Sequence, residues 1–279
     1  MAVNILRGDC RAVLATLADE SVHCAVTSPP YFRQRDYGCE GQIGLEPTPD
    51  AFVAEMVAVF REVRRVLRDD GTLWLNLGDS YNNRTRVRRS SHKPIIAGDR
   101  KTWAQSAADG EVRMTIHADG LKEKDLFGIP WMVAFALRTD GWYLRQEIIW
   151  DKPVAKLDVA ADRPATRHEQ LFLLSKSKIY SFDGAALADY ATGSVWTIAA
   201  TGHGDHGAAY PPELIEPCIL AGSPLGGTVL DPFAGSGTTG LVADRLGRNA
   251  TLIELNPDHA TTAARRIRTD AGLFANVSA

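Results

Sequence analysis

Short apolar, β-branched runs alternate along the chain with longer stretches in which apolar residues return every three or four positions. The short runs fall near Val3–Arg7, Val22–Thr27, Gly71–Leu77, Glu147–Trp150, Gln170–Ser175, Thr228–Asp231 and Ala250–Glu254 and read as strands. Among the helical stretches, Pro49–Arg68 sets Phe52, Met56, Val59, Phe60, Val63, Val66 and Leu67 at helical spacing and is stopped by Asp70-Gly71. Pro130–Arg138 and Pro212–Leu220 each open with a proline, which suits the first turn of a helix because its missing N–H has no partner there anyway. Arg11–Leu17 and Leu241–Leu246 are shorter helical runs. Strands alternating with helices predict an α/β fold whose mainly parallel sheet is covered by helices on both faces.

Two stretches break this rhythm. Asn82–Lys124 is polar, and five positive charges (Arg84, Arg86, Arg88, Arg89 and Lys93) stand in it without an intervening acid. Lys152–His168 mixes Lys152, Lys156, Arg163 and Arg167 with alanines and two prolines and reads as a loop. A single catalytic domain over 1–279, with inserted loops at about 82–124 and 152–168, is therefore expected.

With 45% hydrophobic and 23% charged residues and a net charge of −3, the chain has the composition of an ordinary soluble globular protein. If it binds nucleic acid, phosphate contacts must come from local patches. The candidates are the five cations of the first loop, Lys152, Lys156 and Arg167 of the second, and Arg33 and Arg35. The spacing of Cys10, Cys24, Cys39 and Cys218 matches neither a zinc site nor a redox pair, so no metal is expected and the thiols read as reduced. No signal-like start and no membrane-length apolar run is present, and a cytoplasmic location is expected.

The chemistry is concentrated in two places. From Thr228 to Gly240 a strand runs into a glycine-rich turn in which Gly235, Gly237 and Gly240 satisfy GxGxxG, and Glu254 follows 19 residues after Gly235 at the end of the next strand. Glycines let backbone approach a ligand closely, the following helix N-terminus attracts an anion, and the acid can accept from both hydroxyls of a ribose. A nucleoside cofactor follows, and a nicotinamide-dependent oxidoreductase would use the same parts.

The second place is Val22–Tyr31, where an apolar strand ends at Ser28-Pro29-Pro30-Tyr31. Prolines fix φ and stiffen the turn, so the Ser28 hydroxyl and the Pro29 carbonyl are held as directed acceptors. Such acceptors suit an exocyclic base amine, whose lone pair is delocalised into the ring until its hydrogens are engaged. Tyr31 would stack on the base, which must first be flipped out of the duplex. Direct transfer to nitrogen needs no covalent intermediate, hence no catalytic cysteine, and Cys218 in its apolar helical run reads as core.

Together these segments make the chain resemble the exocyclic-amino DNA methyltransferases, and within them the permuted β group, in which the catalytic turn precedes the cofactor loop. The resemblance runs through Gly8-Asp9-Cys10, Ser28–Tyr31, Gly71–Asp79, Ile148–Pro153, Arg167–Lys178, His206–Ile215 and Asp231–Asn256. It implies a Rossmann-like, S-adenosylmethionine-dependent methyltransferase fold with a seven-stranded sheet and circularly permuted motif order. S-adenosylmethionine is the implied cofactor, and Asp231-Pro-Phe233-Ala-Gly235-Ser-Gly237 resembles the loop that takes its methionine carboxylate.

The resemblance further implies cofactor contacts from Thr27, Asn256, Thr238, Thr239, His206 and Tyr210, the last standing where the family usually has Phe. Asp9 and Cys10 would lie beside the adenine, with helix capping as the alternative role for Asp9. Ser-Pro-Pro-Tyr is typical of enzymes that methylate cytosine N4, whereas adenine N6 enzymes commonly carry Asp first, so cytosine is the expected base and adenine the alternative. RNA or protein methylation, or an inactive DNA-binding regulator, are more remote readings. DNA is the implied partner, with a cognate restriction endonuclease and a homodimer as further expectations.

Overall fold

The computed structural model describes residues 1–82, 86–88, 113–115, 118, 120–153, 161–187, 193–200, 210–272 and 275–279. Its strands are β1 (Ala2–Arg7), β2 (Val22–Thr27), β3 (Leu67–Leu77), β4 (Arg86–Arg88), β5 (Arg113–Thr115), β6 (Tyr143–Asp151), β7 (His168–Ser175), β8 (Val195–Thr197), β9 (Thr228–Asp231), β10 (Asn249–Glu254) and β11 (Asn276–Ser278). Its helices are α1 (Cys10–Leu14), α2 (Pro49–Val66), α3 (Ile129–Thr139), α4 (Pro212–Gly222), α5 (Thr238–Arg245) and α6 (Pro257–Ala271).

The sheet has nine strands in the order β11-β1-β10-β9-β2-β3-β7-β6-β8. The seven strands expected from sequence form its contiguous middle, and β8 and β11 are short additions at the two edges. From β11 to β3 every pairing is parallel, and β7 is antiparallel to both its neighbours. β9 connects through α5 to β10 on one side, whereas β2 connects through α2 to β3 on the other. The chain therefore reverses its direction of winding between β9 and β2, and a crevice opens at such a point beyond the carboxyl ends of the strands.

Helices cover both faces. Phe52, Met56, Val59, Phe60 and Val63 of α2 pack with Val133 and Leu137 of α3 on one face, and Leu214, Cys218, Leu241, Ala263 and Ile267 fill the other. Burying each large side chain of this kind contributes about 2–3 kcal/mol. Thr48 caps α2 by accepting from the Ala51 N–H at 3.1 Å, with Pro49 in the first turn. The helix ends at Val66, earlier than Asp70-Gly71 suggests, because Leu67 is already extended and fully buried. Asp70 and Gly71 sit instead in a bulge within β3, where the register to β2 shifts between Val22 and Cys24. A Cβ at Gly71 would lie 2.9 Å from the Arg68 carbonyl, so a side chain has no room there. The first helix is likewise shorter than Arg11–Leu17, closing at Leu14.

α6 carries no large apolar stripe. Asn256 caps it, and its buried face is Ala260, Ala263, Ala264 and Ile267. Small residues bring it close to the glycine loop: Gly237 has φ +80°, and a Cβ there would stand 2.7 Å from Ala263 Cβ. Gly237→Ala is expected to destabilise the fold by about 2–4 kcal/mol, combining left-handed strain with overpacking, which a lowered urea-unfolding midpoint at unchanged slope would register.

The insertion after β3 is closed at its base by the buried Asn82. Its amide donates to the carbonyls of Ala118, Leu121 and Lys122, and its oxygen accepts from the Ala118 N–H at 3.0 Å. Within the insertion β4 and β5 pair antiparallel. The second loop touches this base: Lys124 bonds Asp162 at 2.6 Å, and the Arg163 guanidinium lies 3.6 Å above the Tyr81 ring. Among the described residues no helix is long and apolar enough to cross a membrane.

Candidate active site

A cavity opens at the carboxyl ends of β1, β2, β9 and β10. Gly8, Asp9 and Cys10 line it from β1, Ser28 and Pro30 from β2, and Phe233, Gly235, Ser236 and Thr238 from the loop after β9. Glu254 and Asn256 line it after β10, and Tyr210 precedes α4. The glycine loop presents bare backbone here. Gly235 adopts φ +53°, and the position of its absent Cβ has no atom within 4 Å, so the loop leaves open space for a ligand. α5 begins at Gly237 with no side-chain cap, which leaves its first-turn N–H groups to an anion.

Glu254 is buried, and each carboxylate oxygen is tethered: Oε2 accepts from the Gly235 N–H at 2.7 Å and Oε1 from the Asn256 N–H at 2.8 Å. The acid is thus fixed at the cavity wall with lone pairs still available. Behind the loop, Arg266 of α6 donates to the Ser236 carbonyl and hydroxyl, both at 2.6 Å.

Thr27, Asp231 and Thr239, expected at the cofactor, lie below the cavity rather than in its wall. Asp231 is fully buried and accepts from Thr27 Oγ1 at 2.7 Å, from Thr239 Oγ1 at 2.5 Å, from the Tyr210 hydroxyl at 3.1 Å and from the Phe233 N–H at 3.0 Å. Burial raises its carboxyl above the ordinary aspartate value, although its four donors favour the ionised form. These bonds tie the end of β2, the glycine loop, α5 and the segment before α4 into one unit. Gly237 serves packing against α6.

Asp9 caps α1, accepting from the Arg11 N–H at 2.9 Å, and both its oxygens also accept from the Arg11 guanidinium. Arg11 holds this carboxyl below the ordinary aspartate range. Asp9 thus caps α1 and lines the cavity at the same time. Burial pushes the Cys10 and Cys24 thiols up to about 12 and Cys218 well above the ordinary thiol value, so these three are protonated and poor nucleophiles.

The opposite wall comes from Arg35, Tyr37, Cys39, Gln42 and Ile43. Apart from Arg35, read as a phosphate contact, none of these was a sequence candidate, since the segment has neither periodicity nor a motif. Gln42 Oε1 accepts from the Tyr37 N–H at 2.9 Å, and the Tyr37 ring meets His259 edge-on at 6.0 Å.

The Ser28–Tyr31 turn is anchored on both sides. Pro29 is buried, and the next aromatic, Phe32, fills the core between Phe52 and Phe127 at ring separations of 5.7 and 5.2 Å. The Tyr31 ring lies flush against Gly78, where a Cβ would come within 2.4 Å of Cε2. The Tyr31 hydroxyl donates to Glu169 Oε2 at 2.7 Å and accepts from Asn76 Nδ2 at 2.9 Å and from Ser28 Oγ at 3.3 Å. Burial and the Glu169 charge raise this phenol well above its ordinary value.

Of the expected phosphate contacts, Lys152 is turned inward. Its ammonium pairs with Glu169 and lies 4.1 Å above the Trp150 ring, because the register of β6 with β7 carries the loop residue back over the sheet. Arg167 is exposed and pairs with Asp151. Arg33 donates to the Glu46 carbonyl at 3.1 Å. Arg86 and Arg88 belong to β4, with their side chains outside the described residues, as are Arg84, Arg89, Lys93, Lys156 and His206.

A crevice built from a glycine loop, a tethered carboxylate and a Ser-Pro-Pro-Tyr turn has the parts to hold a nucleoside cofactor beside a base amine. The N6/N4 methyltransferase family of DNA methylases matches residues 22–265. The Type II methyltransferase M.XycI of Xanthomonas campestris pv. cyanopsidis is 47% identical over 276 residues, covering 95% of this chain and 87% of the relative. M.SmaI of Serratia marcescens is 43% identical over 278 residues, covering 95% and 90%. A Thermus thermophilus protein assigned as a DNA modification methylase and solved with S-adenosyl-L-methionine superimposes with TM-score 0.68 at 26% identity, covering 99% and 98%. The cytosine-N4-specific PvuII DNA methyltransferase shares the fold, with TM-score 0.69 at 18% identity and coverage of 97% and 91%. The chain belongs to the N6/N4 DNA methylase family, the S-adenosylmethionine-dependent methyltransferases that act on exocyclic amines of DNA bases.

Proposed function

We propose that the protein methylates the N4 amine of cytosine in DNA after flipping the base into the cavity. The observation that carries this reading is that Ser28 and Pro30 line the same cavity as Gly235 and Glu254, so that nucleophile and methyl donor can meet in one crevice. S-adenosylmethionine, when bound, supplies an electrophilic methyl on sulfonium. Glu254 would accept from its ribose hydroxyls, and the glycine loop with the N-terminus of α5 would take its carboxylate.

Ser28 and the Pro29 carbonyl would accept the amine hydrogens and turn its lone pair toward the methyl group, and the Tyr31 ring would stack on the base. The Ser28-Pro29-Pro30-Tyr31 form of the turn, which resembles that of cytosine-N4 enzymes, supports cytosine as the base. Protonated Cys10, Cys24 and Cys218 agree with direct transfer to nitrogen.

The two insertions, joined through Lys124–Asp162 and Arg163–Tyr81, would supply sequence recognition in a single catalytic domain. The Type II designation of the relatives supports a cognate restriction endonuclease as partner. The identity of the methylated nucleoside is the test, with N4-methyl-2′-deoxycytidine expected.

A further inference from the structure

Methylating an amine creates a proton to dispose of, and a chain of oxygens leads away from Ser28 at the cavity wall into the protein. Ser28 Oγ, the Tyr31 hydroxyl and Glu169 Oε2 stand in series, 3.3 and 2.7 Å apart. The direction of the chain is set by Asn76, whose amide donates to Tyr31 Oη at 2.9 Å and to Glu169 Oε2 at 2.8 Å. With its lone pairs facing Asn76 and Ser28, the tyrosine must aim its own proton at the glutamate. Asn76 Oδ1 is buried without a partner among the described residues, so this amide is oriented for the relay oxygens at the expense of its own carbonyl. Lys152 bonds the other carboxylate oxygen, leaving Oε2 to face Tyr31 and Asn76. Gly78 is bare because the Tyr31 ring occupies the space of a side chain.

We propose that Ser28, Tyr31 and Glu169 form a proton relay that removes the proton released by the amine during methyl transfer. The proposal rests on the exocyclic-amine reading of the site and not on which base is used. As the amine lone pair forms the N–C bond, the C–S bond breaks and its electron pair leaves with sulfur. One N–H bond of the amine then breaks toward Ser28 Oγ, the serine proton moves to Tyr31 Oη, and the tyrosine proton moves to Glu169 Oε2. The balance is one methyl gained by nitrogen and one proton gained by the carboxylate, which returns it to solvent along the partly exposed Lys152–Glu169 edge. Tyr31 Oη and Glu169 act through Ser28 and are positioning residues for the proton. Lys152 thereby has a use in the site that a phosphate contact would not explain.

Tyr31→Phe separates the hydroxyl from the ring, since phenylalanine keeps the ring packed against Gly78, and Glu169→Gln keeps the size of the acceptor. Single-turnover transfer of labelled methyl groups to DNA is expected to fall on the order of 10²-fold in each variant, with S-adenosylmethionine and DNA affinities unchanged. The solvent deuterium isotope effect, above unity with more than one proton in flight in the wild type, is expected to drop toward unity in both. Unchanged rates and isotope effects in folded Tyr31→Phe would overturn the relay even if Glu169→Gln failed to fold. A wild type that transfers no methyl group to a DNA amine would instead overturn the underlying reading of the site.

Discussion

Ser28→Ala is expected to lower the single-turnover rate of methyl transfer on the order of 10²–10³-fold while leaving cofactor affinity unchanged. The hydroxyl is partly exposed at the cavity and is fixed by the stiff Pro29-Pro30 step and by the anchoring of Phe32 in the core. Removing it deletes a positioned partner for the amine hydrogens and breaks the hydrogen bond toward Tyr31, both of which matter only as the amine reacts. A loss of this size is what deletion of one preorganised polar group in a water-poor site produces. Rapid-quench assays with labelled cofactor, alongside calorimetric titration of the cofactor, separate the two quantities. A rate that holds while affinity falls would place Ser28 at the cofactor and not at the base.

The second large effect is expected on binding. Glu254→Ala should weaken S-adenosylmethionine affinity by about 10²-fold, because two charge-assisted hydrogen bonds to ribose hydroxyls are worth about 3 kcal/mol together. The same change also frees the Gly235 and Asn256 N–H groups, which now hold the loop and the start of α6 to the carboxylate. Part of the loss would therefore come from a looser glycine loop. Calorimetry reads the affinity, and saturating cofactor should restore most of the methyl-transfer rate, unlike the Ser28 variant.

The parts of the site that could be read in advance are those whose chemistry is local in the chain. The glycine loop and Ser28–Tyr31 are contiguous, and the core strands announce themselves as apolar runs because helices bury them on both faces. β8 and β11 gave no such signal: each has three residues at a sheet edge, and Val195 is largely exposed. α6 escaped because alanines, not large side chains, form its packing face.

The Asp231 network was hidden for a different reason. Thr27 and Asp231 are 204 positions apart, and only the pairing of β2 with β9 shows that Asp231 organises the floor while Glu254 faces the cavity. A lysine in a polar loop reads as a solvent-facing cation, and its pairing with Glu169 depends on the register of β6 and β7. The wall from Arg35 to Ile43 has irregular backbone, so its place over the cavity is a product of tertiary contacts, including the Arg11 bond to the Gly41 carbonyl at 2.9 Å.

The proposed cytosine-N4 activity brings a methyl donor and the base amine together in one crevice. Its most direct test is to incubate the protein with methyl-labelled S-adenosylmethionine and mixed-sequence DNA, digest the DNA to nucleosides and identify the labelled species by mass spectrometry. Label is expected in N4-methyl-2′-deoxycytidine. Label in N6-methyl-2′-deoxyadenosine would contradict the base assignment, and label on carbon 5 of cytosine would contradict direct transfer to nitrogen as well.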